Sequence, residues 1–385
     1  MKKNFLFVMA AAAMLASCSK DAPVPEQTGN GNENGVVDPT NPNSPVLVRL
    51  GAGGLGVDVT PSRGVVDSWN NTVVGVYALA KDANFTAWAD GDGSILLENE
   101  KGTITGNPDG SVTKEAINIA EKYYPGSNDI HYTFYGYYPY AGADADDTTP
   151  PTNANGKVTK TFTINGSQDI MWGQAVATKI NNKDGGEQLD GYNALYFRKG
   201  QDAATPDIAF EHKLTQLNFN IKQAADFSTA GEDKKLSVTK IEINTYSSLD
   251  LTIADKAGTD NGKIAPTAAT EAADMPVIKG DEGTAADAVV VDDIAEGSQA
   301  FGTSMMVYTA GDTQTTYSAK VYLKMGADGE VVSSPVTIEL AGNAAFEAGN
   351  AYNVNIAVNS MMQVKAIATL TEWQPGGDAE EIEIN

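Results

Sequence analysis

The stretch VLVRLGAGGLGVDVTPSRG, residues 46–64, decides the fold because it reads two ways. Gly51, Gly53 and Gly56 spell G-x-G-x-x-G, which cradles a dinucleotide phosphate when it joins a strand to a helix. The same stretch sets Val46, Val48 and Leu50 on one face of an extended segment, as a half-buried strand does. The residues after Gly56 choose between these. Val57, Asp58, Val59, Thr60 and Pro61 form a β-branched run ending in proline, so no helix N-terminus waits for a phosphate. The stretch is a first strand weakened by glycine, each glycine costing roughly 0.5–1 kcal/mol relative to alanine.

Outward from this stretch, short alternating runs are separated by Gly, Asn and Asp. They include VVGVYALA (73–80), HYTFYGYYPY (131–140), KVTKTFTI (157–164), KLTQLNFNIK (213–222), KLSVTKIEIN (235–244) and SLDLTIA (248–254). TYSAKVYLKM (316–325), VTIEL (336–340), YNVNIAV (352–358) and VKAIATLTEW (364–373) follow. In KLTQLNFNI, Leu217, Phe219 and Ile221 share a face opposite Gln216, Asn218 and Asn220, and KIEIN alternates likewise. DGDGS (90–94) and GADGE (326–330) read as hairpin tips. NALYFRK (193–199) reads as a strand end, and AINIAEKYYPG (116–126) as the one short helical piece. Regular short strands without alternating helices predict an all-β chain of antiparallel sandwiches, not a doubly wound sheet. A break near KGQDAATP (200–207) divides the body into β-rich halves at 46–205 and 206–385.

The N-terminus predicts an exported lipoprotein. Lys2 and Lys3 precede an apolar run, Phe5 to Leu15, that is too short to span a bilayer. Leu15-Ala16-Ser17-Cys18 has the form of a lipobox, making 1–17 a signal peptide and Cys18 the lipidated residue. Cys18 is the only cysteine, so the chain forms no internal disulfide. Residues 18–45, rich in Pro, Asn, Gly and Asp, have too few apolar side chains for a core and read as a tether. The net charge of −24 argues against nucleic acid as a partner, because that affinity comes from neutralising phosphates.

No catalytic constellation stands out, and the reading is a non-enzyme without cofactor or metal. Asp90, Asp92 and Ser94 resemble the start of a calcium loop, but Ile95 stands at its glycine position and Lys101 at its terminal acid position. His131 and His212 each lie in an apparent strand with no catalytic partner spaced nearby. Fifty acidic residues always offer carboxylate pairs, and nothing singles one out as a hydrolase site. The aromatics of HYTFYGYYPY could stack on sugar, but alternating aromatics more often pair across strands and fill cores. Only three arginines occur, Arg49, Arg63 and Arg198. Arg63 sits between Pro61 and Gly64, the composition of an exposed loop that proteases cut.

Several segments in fixed order carry a resemblance. They are the lipobox with its tether, SRGVVDSWNNTVVGVYAL, FYGYYPY (134–140), DIMWGQA (169–175), FEHKLTQLNF (210–219) and the ending GNAYNVNIAVN…VKAIATLTEWQPGG. In these the chain resembles the fimbrillins of the Bacteroidetes, in their Mfa-like branch of type V pilus subunits, over nearly its whole length. The resemblance implies two tandem β-sandwich domains of Greek-key-like, transthyretin-like topology. It implies travel to the outer membrane as a lipoprotein, anchored by lipid at Cys18, and then residence in a cell-surface pilus. It also implies cleavage by an arginine-specific protease, at Arg63 with Arg49 as the alternative, removing residues 46–63. The vacated groove would accept a strand from another pilus subunit.

Physical reasoning gives the displaced strand its residues: Val46, Val48, Leu50, Val57 and Val59. The tail EEIEIN (380–385) is the candidate donor, with Ile382 and Ile384 on one face behind the hinge QPGGD. The rival expectation is a monomeric surface lipoprotein or tip adhesin that binds glycan or a host or bacterial surface ligand.

Overall fold

A computed structural model describes residues 45–53, 69, 71–105, 115–126, 129–177, 191–199, 205–225, 235–268, 270–277, 293–326, 328–340, 342, 344–360 and 363–371. Cys18, Val57, Val59, Arg63, Ile382 and Ile384 lie outside these residues.

In chain order the first strands are β1 (Leu50–Gly53), β2 (Thr72–Ala80), β3 (Ile95–Ile104), β4 (Glu115–Asn118) and β5 (Tyr132–Tyr138). A hairpin follows, β6 (Thr152–Ala154) and β7 (Lys157–Thr163), and then β8 (Met171–Ala175), helix α1 (Ala194–Lys199) and β9 (Asp207–His212). Next come β10 (Thr215–Gln223), β11 (Leu236–Thr245), β12 (Ser248–Asp255), β13 (Ile264–Pro266), β14 (Ala273–Pro276), β15 (Gln299–Ala300) and β16 (Met305–Val307). The last are β17 (Thr316–Met325), β18 (Val331–Leu340), β19 (Ala351–Ser360) and β20 (Gln363–Thr371). The all-β expectation therefore holds.

The first strands do more than form an open sandwich. In the order β1-β4-β3-β2-β5-β8-β9 they close into a barrel, sealed where β1 runs parallel to β9. β9 follows the composition break at 200–207, yet it belongs to this barrel. A nine-stranded sheet runs β14-β11-β17-β18-β20-β19-β10-β15, with β16 also on β10. A four-stranded sheet, β13-β12-β7-β6, takes strands from both halves of the chain.

Period-two alternation explains the layers. Along β5, Tyr132 and Phe134 enter the barrel core, while Tyr135 and Tyr137 enter the second core, which is shared with β7, β12 and the large sheet. Trp172 of β8 ties the two together by donating from its indole to the Ile253 carbonyl at 2.8 Å. Gly262, at φ +69°, lies against that indole, and a Cβ there would sit 2.4 Å from the ring. Such a shared core welds the halves instead of hinging them.

Two local expectations are corrected. Residues 116–126 are not helical: Glu115–Asn118 is β4, and Tyr123 bridges Leu47. The ladder offered by residues 46–52 outcompetes a short helix with few packing partners. NALYFRK is not a strand end but α1, whose first turn is capped where Tyr196 N–H donates to Asn193 Oδ1 at 2.8 Å.

Candidate functional site

The barrel is completed by one extended segment, Val46 to Gly53. Its sequence alternation becomes its geometry: Val46, Val48, Leu50 and Ala52 are buried in the barrel core, while Arg49 is exposed. On one side Val48 N–H donates to the Lys122 carbonyl at 2.8 Å, and Tyr124 N–H to the Val46 carbonyl at 2.9 Å. That ladder continues as Leu50, Gly51 and Ala52 pair with Ile117, Ala116 and Glu115 of β4. On the other side Gly51, Ala52 and Gly53 pair with Asp207, Ile208 and Ala209 of β9, and Gly51 N–H donates to the Pro206 carbonyl at 2.8 Å. The segment is thus a narrow stave paired with β4 on one side and β9 on the other.

The two described glycines of the G-x-G-x-x-G sit in this strand, in no phosphate loop. Both face the Asp207 carboxylate. A Cβ on Gly51 would lie 3.3 Å from Asp207 Oδ1, and one on Gly53 would lie 3.4 and 3.5 Å from its two oxygens. A Cβ at 51 would press slightly on this carboxylate, and one at 53 would meet it at ordinary contact distance.

Beneath the segment the barrel holds an aromatic lattice. Tyr124 meets Phe134 at 6.3 Å and Phe197 at 5.3 Å, while Tyr192 meets Phe134 at 5.6 Å and Tyr196 at 5.0 Å. The Trp69 ring meets Phe210 edge-on at 5.3 Å. The Tyr124 hydroxyl is buried with no hydrogen-bond partner among the described residues, and burial holds its pKa well above the ordinary tyrosine value.

The remaining sequence candidates fall into structural roles. His212 Nδ1 lies 2.8 Å from Asp169 Oδ2, joining the DIMWGQA and FEHKL segments across β8 and β9. His131 Nδ1 lies 2.9 Å from Asp82 Oδ1, and the His131 N–H also donates to Asp82. Sequence reading missed both pairs, because each joins residues far apart in the chain. In DGDGS, Ser94 is buried, its N–H donates to Asp92, and its hydroxyl bonds Ala89, which makes a closed turn. Those bonds from Ser94 hold the exposed Asp92 carboxyl below its ordinary pKa. No group of three metal-ligating side chains occurs among the described residues. Tyr132, Tyr135 and Tyr137 are buried, so their rings present no sugar-stacking face. Arg198 lies in α1.

A search of curated protein sequences finds no significant match. Among solved structures, a "putative cell adhesion protein" from Bacteroides uniformis is similar at 17% identity and a TM-score of 0.45, over 85% of this chain and 98% of that one. A fimbrial assembly protein from Parabacteroides distasonis is similar at 12% identity and a TM-score of 0.38, over 85% and 99%. The family model described as fimbrillin-like matches residues 62–373, a span that begins past the closing segment and takes in most of the chain. The chain belongs to the fimbrillin-like family.

Proposed function

We propose that this chain is a structural subunit of a surface pilus. It is exported as a precursor with lipid on Cys18, cut after Arg63 by an arginine-specific protease, and polymerised by donor-strand exchange to support adhesion. The observation that carries the reading is the stave itself. Residues 46–53 close the barrel through two short ladders and insert only three side chains larger than alanine into its core. Withdrawing it would leave two unpaired strand edges beside an apolar slot, and such edges recruit other strands. The aromatic lattice below comes from other elements, so it would stay to receive a new strand.

Cleavage at Arg49 fits less well. Arg49 stands within the paired stretch, between the bonded amides of Val48 and Gly51, so cutting there requires the segment to open first. A subunit that gives one strand and takes another makes a heterologous contact that does not close, which builds a filament. In this reading the barrel half and the large-sheet half correspond to the two Greek-key-like sandwich domains that the family resemblance implies. The partners are other pilus subunits, the processing protease and, before cleavage, the outer membrane.

Limited digestion of the precursor with trypsin, followed by N-terminal sequencing and gel electrophoresis, tests this. The expected result is a new N-terminus at Gly64 and concentration-dependent ladders. Clean cleavage with persistent monomers would favour the monomeric adhesin.

A further inference from the structure

The reading above leaves open which strand refills the slot, and Asp207 bears on that choice. The outward face of the closing segment shows Asp207 nothing bulky and nothing acidic. Gly51 and Gly53 lie under its carboxylate, and Arg49, two positions earlier on the same face, has the opposite charge. The neighbour across from Gly51 on β4 is Ala116, so Asp207 is the group that judges what stands at position 51.

We propose that Asp207 is a specificity-determining residue of the slot. It favours, over the chain's own tail, a strand from a different subunit whose residues at positions 51 and 53 are not acidic. The proposal rests on the refilling reading and narrows it. The chain's own tail, EEIEIN, has the apolar face the slot wants in Ile382 and Ile384, but its other face carries Glu381 and Glu383. Seat one isoleucine in the place of Leu50 and the other in the adjacent inward place. In either strand direction a glutamate then falls at position 49 or 51, in place of an arginine or against Asp207. Like charges brought together across a strand pair disfavour the complex. Self-addition by this tail is therefore the weaker outcome, reached only as protein concentration is raised, and a strand with a neutral or basic outer face adds more tightly.

Two measurements test this. In the intact chain, Gly51→Glu and Gly51→Gln are compared by amide exchange at Val48, in the native background and with Asp207→Asn. Glutamine reproduces the size of glutamate, so the difference isolates charge. The expected result is opening about tenfold greater for Gly51→Glu than for Gly51→Gln, reduced to near equality by Asp207→Asn. Equal opening in the native background would overturn the proposal.

In the second measurement, protein cut after Arg63 is titrated with three labelled peptides: the 46–56 sequence, EEIEIN, and QQIQIN. QQIQIN is expected to bind about tenfold tighter than EEIEIN, with the ratio collapsing for Asp207→Asn protein and shrinking at high salt. EEIEIN binding as tightly as QQIQIN overturns the filter and leaves refilling intact. Failure of all three peptides to bind counts against refilling, and the intact-chain comparison still decides the role of Asp207.

Discussion

Truncating Leu50 to alanine removes the largest side chain that the closing segment places in the barrel, where it is 2% exposed. A buried leucine cut to alanine costs about 2–5 kcal/mol. Even the lower figure corresponds to roughly a 30-fold change in an equilibrium constant. Opening of residues 46–53 leaves the pairings among the other barrel strands in place, so it is expected as a local event with its own free energy. Native-state hydrogen exchange reads it at two amides, Val48, bonded to Lys122, and Gly51, bonded to Pro206. In the unaltered protein both should exchange with a lower free energy and a smaller denaturant slope than Val321 at the centre of β17. Leu50→Ala should raise their opening constant about 30-fold and leave that small slope unchanged. If Val48, Gly51 and Val321 share one free energy and one slope in both proteins, the segment opens only with the whole molecule. The reasoning would then be refuted.

Other expectations concern polar groups away from the slot. Tyr124→Phe deletes a buried hydroxyl that lacks a partner among the described residues, so denaturant titration should show unchanged or increased stability, by up to about 1 kcal/mol. A clear loss would mean the hydroxyl is bonded. Lys160 is 3% exposed and pairs at 2.5 Å with Asp147, which is 41% exposed. Asp147→Ala leaves a buried ammonium with only the Thr149 carbonyl and should cost about 2 kcal/mol, whereas Lys160→Met leaves only a carboxylate that water reaches and should cost less. The reverse order in the same titration would contradict this. Burial pushes the Asp255 carboxyl up, but bonds from Ala257, Thr259 and Asp260 outweigh it and hold its pKa below 3.8. Asp274 is held below the same value, chiefly by Lys320. A depressed carboxyl stabilises the fold fully above its unfolded pKa and loses that contribution as pH falls through its folded pKa. Thermal stability should therefore fall with acidification from about pH 4 downward, and Asp255→Asn should flatten that fall.

What the chain revealed in advance follows from the range of the forces involved. Alternation is local, so β7, β10 and β17 were legible from side-chain period alone, and β2 and β5, buried along nearly their whole length, from their runs of apolar and aromatic residues. Residues 116–126 were not, because AINIAEKYY suits a helix about as well as a strand and only the distant Val46–Ala52 ladder decides. α1 had a usable signal in Asn193, which offers a cap just before ALYF. The inward set Val46, Val48 and Leu50 was legible, and closure of a barrel around it by a parallel strand was not. The glycines of that segment could be read as loosening a strand. Their fit under Asp207 could not, because β9 lies far along the chain and its register with β1 is tertiary information. The same holds for Asp169 and His212, which the pairing of β8 with β9 brings together.

The claim beneath all of this is that residues 46–53 are a removable stave, and a covalent staple tests it most directly. Leu47 and Tyr123 face each other across the segment's outer ladder, flanked by the bonds from Val48 to Lys122 and from Tyr124 to Val46. Such a pair brings its Cα atoms to about 4.5 Å, within disulfide range. In a Cys18→Ser background, Leu47→Cys with Tyr123→Cys should lock the stave when oxidised and free it when reduced. After cleavage at Arg63, the oxidised protein is predicted to stay monomeric and the reduced protein to assemble. Assembly at the same rate in both states would contradict the account.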